Sequence, residues 1–176
     1  MKRIMQVFII ITLLTNTENL IGQDLTKVRN IVDKETKSYR QKLEKNSDNN
    51  AIWIDFSVDT FKIEHTIAAR MSTEFRTQAM NAIVSDGTIE YDKLLNKYYN
   101  KLLAKLNSED KKVLIATQRA WLSFRDNELK LIGVVGKSEY SGGGTIQSNF
   151  DVGNYHEIVK RRTIEIFQHL YRTVPF

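Results

Sequence analysis

The chain has 176 residues, of which 41% are hydrophobic and 27% charged, with a formal charge of +5, one proline and no cysteine. This is the composition of a globular protein, and it excludes a disordered chain. The missing cysteine excludes disulfides and a cysteine-linked lipid, and the dispersed basic residues, with Lys160-Arg161-Arg162 a short isolated run, argue against the clustered basic face that nucleic-acid binding uses.

Lys2 and Arg3 precede an apolar run from Met5 to Leu14, and a polar stretch follows. The run is too short to span a bilayer, which takes about 20 residues. It predicts a cleaved signal peptide over 1–22, with Gly22 before the cut, and hence a periplasmic or secreted protein. Removal of Lys2, Arg3 and Glu18 lowers the positive charge by one unit. No membrane span is expected in the mature chain.

Residues 24–45 carry Leu25, Val28, Ile31 and Val32 at helical spacing, with Asp24 or Thr26 as a cap. Asn46 to Asn50 is a loop by composition, so 23–50 forms an N-terminal helix and loop. Ile52, Ile54, Phe56 and Val58 then alternate with Trp53, Asp55 and Ser57. The alternation predicts an extended segment packed on helices, followed by a helix over 61–70 capped by Asp59 or Thr60. Ser72 or Thr73 caps the next helix, which Ser85-Asp86-Gly87 weakens.

The apolar stripe Tyr91, Leu94, Leu95, Tyr98, Tyr99, Leu102, Leu103 and Leu106 predicts a helix over 88–106. Ser108 is the expected N-cap of a second helix running to Val134. So short a turn predicts two antiparallel, adjacent helices. A glycine-rich loop over 136–153 and a last helix over 154–171 complete the pattern. The expected fold is all-α: a small helical bundle with a long antiparallel helical hairpin after the signal peptide, with no linker to divide it.

In that hairpin Asp92 faces Arg125, Asn96 faces Trp121, and Tyr99 faces Gln118, each set on one helical face. A carboxylate opposite a guanidinium, flanked by amides and aromatics, reads in two ways. One is the floor of a recognition site; the other is a polar device fixing helix register, which is the preferred reading. Arg119, Asp126 and Glu128 are the exposed residues of the same helix that a partner would meet.

Asp92-x-x-Leu95-Asn96-x-x-Tyr99, the run Gln118-Arg119-Ala120-Trp121-Leu122-x-Phe124-Arg125-Asp126, then Gly143-Gly144-Thr145 and Arg162 resemble the LprI N-terminal family of secreted domains, named for a lysozyme inhibitor. The resemblance covers roughly 60–170 and assigns 51–176 to one LprI-like helical domain. It implies an extracytoplasmic, non-catalytic binding protein with a lysozyme-like protein or another envelope component as partner. Inhibition of lysozyme or a cell-wall hydrolase is one implied function; an envelope module binding a glycan or partner protein is the alternative. The family usually has cysteines where this chain has Ile83, Leu129 and Tyr155, which implies that packing replaces disulfides and that all three are buried. A positive chain is steered away from a basic lysozyme, so any such recognition must be local.

An enzyme is not expected. His65, His156 and His169 lack metal-ligand spacing, and neither a nucleophile elbow nor a phosphate loop is present. No cofactor is predicted. The glycine triplet reads as a surface loop or as backbone amides for an anionic group. A hydrolase would require a deep pocket lined by His156 or His169 with carboxylates.

Overall fold

The computed structural model describes residues 25–46 and 50–174. The expected signal peptide and the Asp24 cap lie outside the described residues. Among those described there are only helices: α1 over 25–44, α2 over Ala51–Met71, α3 over Thr77–Lys105, α4 over Ser108–Val135, the short α5 over Ser138–Ser141, and α6 over Ile146–Tyr171.

Successive long helices run up and down. α1 opposes α2 through Asp33–Lys62 at 2.7 Å and Asp55–Arg40 at 2.9 Å. α2 opposes α3: Arg70 reaches Asp86, and the Tyr98 hydroxyl donates to Asp59 at 2.9 Å. α3 and α6 form the closest pair and run in the same direction. Their contacts climb together, from Asn81–Ser148 through Thr88–His156 to Tyr98–Phe167. α4 is the return stroke between them.

The core lies where α2, α3 and α6 meet. Phe56 and Phe167 stack with ring centroids 3.8 Å apart and planes 3° from parallel, and Tyr98 meets both edge-on. Tyr91, Leu94, Leu95, Leu102, Val159, Ile166 and Leu170 close around them. Removing these side chains from water is the dominant favourable contribution to folding.

The expected extended segment at 52–58 is helical, the first turns of α2. Its N-cap is Asn50, whose side chain accepts from the Trp53 amide at 3.0 Å. The alternation arises because α2 is covered on two faces. At about 3.6 residues per turn, positions two apart point some 200° apart. Phe56 faces the core, while Ile54 and Val58 share the side carrying Phe61 and Lys62, which meet Tyr39 and Asp33 of α1. Period-two hydrophobicity therefore marks a helix sandwiched between neighbours.

Three other boundaries differ. α3 begins at Thr77, with Arg76 at the cap position and no side-chain cap bond, and it continues through Gly87 without a break. A Cβ at Gly87 would overlap the Ile67 side chain. The glycine lets α2 approach, and that packing offsets its cost of about 1 kcal/mol in a helix. Asn107, not Ser108, caps α4, accepting from the amides of Glu109 and Asp110. α6 starts at Ile146, eight residues before Asn154, and its Ser148 bonds Asn81 of α3. Between α5 and α6, Gly142, Gly143 and Gly144 have φ of 76°, 76° and 96°, in the left-handed region that disfavours other residues.

Of the three positions expected to be buried in place of cysteines, Ile83 is buried, whereas Leu129 and Tyr155 are only half-buried. Leu129 lies on α4, which does not enter the core as α3 does. No helix among the described residues is long and apolar enough to cross a membrane.

Candidate functional site

α3 and α4 are joined by a tight turn and face each other as the expected antiparallel hairpin, while the most extensive backbone contact of α3 is with α6. The space left between α3 and α4 is a groove of about 340 Å³. Asp92, Leu95, Asn96 and Tyr99 form its α3 wall, and Ile115, Gln118, Arg119, Trp121, Leu122 and Arg125 form its α4 wall. Helical spacing explains both sets. Asp92, Asn96 and Tyr99 fall at i, i+4 and i+7, and Ile115, Gln118, Leu122 and Arg125 at i, i+3, i+7 and i+10.

The sequence thus places seven candidate residues around one groove, but it misassigns their contacts. Asp92 and Arg125 form no ion pair. The Arg125 guanidinium instead bonds the neighbouring Asp126 carboxylate at 2.7 and 3.0 Å. The Asp92 carboxylate accepts from the Asn96 side chain at 3.3 Å. The two walls face each other across an open cleft where a direct zipper was expected.

Arg162 enters from α6 behind the α4 wall. It is 7% exposed. Its Nε donates to Gln118 Oε1 at 3.0 Å and its Nη1 to Glu165 at 3.1 Å. The Trp121 ring lies within reach of two guanidiniums, Arg125 at 5.5 Å and Arg162 at 5.8 Å from its centroid. Cation–π attraction of this kind orders the indole and helps offset the cost of burying Arg162. The remaining terminal nitrogen of Arg162, Nη2, is buried without a hydrogen-bonding partner, which is uncommon for a buried donor. Arg162 therefore fixes Gln118 and Trp121 from behind.

Arg119 and Asp126 stand exposed on α4, while Glu128 is half-buried. Gly143 and Gly144 do not line the groove; they belong to the loop beyond the far end of α4. Ile115 and Glu165 were not anticipated, although the i−3 spacing from Gln118 points to the first. Two other grooves, one among α1, α2 and α3 and one among α1, α2 and α6, contain none of the motif residues. None of the three grooves is lined by His156 or His169.

His156 is instead a packing residue. Its ring meets Tyr91 edge-on at 5.4 Å, and its Nδ1 lies 3.1 Å from the Thr88 hydroxyl. Burial pushes its pKa down, with the Glu64 charge opposing. Nearby Glu64 accepts from the Tyr91 hydroxyl at 2.5 Å and pairs with Lys160 at 2.7 Å. Burial alone would raise the Glu64 pKa, but these hydrogen bonds outweigh it and hold the carboxyl below its ordinary range.

No curated protein and no solved structure matches the chain. The family model for lysozyme inhibitor LprI matches residues 68–166, a span containing the whole groove and Arg162. That match extends over more than half of the sequence, and the chain belongs to the LprI lysozyme inhibitor family.

Proposed function

We propose that this protein acts outside the cytoplasm as a non-catalytic inhibitor of a lysozyme-type cell-wall hydrolase, and that the α3–α4 groove and its Arg119 lip form the contact surface. One observation carries the reading: residues far apart in the sequence, all within the family-matched span, converge on a single cleft. Glycoside hydrolases of this class work with a pair of carboxylates in a polar cleft. Arg119 offers a cation to such carboxylates, while Arg125 is held by Asp126, and Trp121 with Tyr99 supplies aromatic contact area of the kind that dominates binding energy. The positive net charge opposes encounter with a basic hydrolase, so affinity rests on local complementarity.

The test is a lytic-rate assay with the exported protein and its Arg119→Ala and Trp121→Ala variants. Wild-type protein in excess suppresses lysis, and each variant weakens inhibition at least tenfold while keeping its helical circular dichroism. Undiminished lysis with excess wild-type protein overturns the reading. Binding of cell-wall glycan fragments without any effect on lysis would favour the envelope-module alternative, since Trp121 beside the Asn96 and Gln118 amides also suits a sugar ring.

A further inference from the structure

α4 carries a second surface, on the flank away from the groove. Val113, Thr117, Ala120, Phe124, Asn127, Leu131 and Val134 recur at alternating steps of four and three residues along its full length. That is the repeat of a two-helix seam, about 3.5 residues per period. In this molecule the seam faces solvent: Val113 is 66% exposed, Phe124 55%, Leu131 53% and Val134 42%. An apolar stripe left open along a helix marks an interaction surface.

The stripe is complementary to itself when reversed. Two antiparallel copies of α4 in a seam register place Val113 opposite Leu131, Thr117 opposite Asn127 and small Ala120 opposite large Phe124, and each layer occurs twice about the two-fold axis. Polar meets polar in the middle layer. The Thr117 hydroxyl donates to the Val113 carbonyl at 2.9 Å, which leaves its oxygen free to accept from an Asn127 amide. A parallel arrangement would instead set Phe124 against Phe124 and Ala120 against Ala120, overfilling one layer and underfilling the next.

We propose that α4 pairs with α4 of a second copy of this chain, antiparallel, to form a homodimer. The pairing leaves the groove residues on the other flank of α4 free, so it stands independently of the inhibitor reading. The match of large with small layers sets the direction, and the apolar layers hold the pair.

Sedimentation equilibrium on the exported protein tests this, with circular dichroism as the folding control. The expected mass is that of two chains for wild type and of one chain for Phe124→Lys, with helicity unchanged. Because the chain has no cysteine, direction can be read by crosslinking. A mixture of Val113→Cys and Leu131→Cys proteins should oxidise to a mixed dimer, while each alone should not. A single-chain mass at every concentration overturns the proposal, as does crosslinking of each variant only with itself. A monomeric wild type whose hydrolase inhibition is lost on Phe124→Lys would assign the face to the hydrolase and also overturn it.

Discussion

α3 and α4 are nearly equal in length, 29 and 28 residues, and both are rich in apolar side chains, yet they spend them differently. α3 buries Ile83, Tyr91, Leu94, Leu95, Tyr98 and Leu102 between α2 and α6, whereas α4 buries only Leu114 and Ile132. A helix between two neighbours turns its hydrophobic residues into stability. A helix resting on one neighbour leaves them available for recognition, and α4 offers both a groove wall and an open seam.

The comparison can be broken from its strong side first. Phe167 is 6% exposed and stacks on Phe56. Phe167→Ala should destabilise the protein by about 3–5 kcal/mol, read as a fall in the urea midpoint. A loss below about 1 kcal/mol would show that the α2–α3–α6 junction is not the principal core.

A smaller effect should appear with pH. Burial lowers the His156 pKa in the folded protein, so below about pH 6.5 the unfolded chain takes up a proton that the folded chain refuses. Stability is then complete above that value and declines as pH falls through it. The lowered Glu64 pKa acts in the same direction further into acid. Denaturation at stepped pH should show the decline, and His156→Leu should flatten its first part. An equal slope in that variant would remove His156 as the cause.

The smallest effect belongs to α4. Leu131→Ser at dilutions where the chain is monomeric should change stability by no more than about 0.5 kcal/mol, as for an exposed site. A loss of about 2 kcal/mol or more would place α4 in the core and erase the distinction drawn above.

Helical class, the α3 stripe and the groove residues were legible because each rests on local periodicity. Tyr91, Leu94, Leu95, Tyr98 and Leu102 repeat every three or four positions, and this is enough to define a buried face. Asp92, Asn96 and Tyr99 share a face by the same rule, as do Gln118 and Arg125. The start of α2 was misread because Ile54, Phe56 and Val58 serve two opposite neighbours, and a one-face pattern is the only one that spacing reveals directly. The first turns of α6 were missed because their Ile146 and Phe150 stay exposed, so no buried stripe marks them.

By itself the sequence determined which residues share a helical face, and through them the family and the membership of the groove. Only the tertiary structure decided what those faces meet. It packed α6 along α3, opened the expected Asp92–Arg125 contact into a cleft, and left the α4 seam in solvent. Spacing fixes direction around a helix axis because the backbone repeat is local, whereas the neighbour in that direction is chosen by the burial of every helix at once.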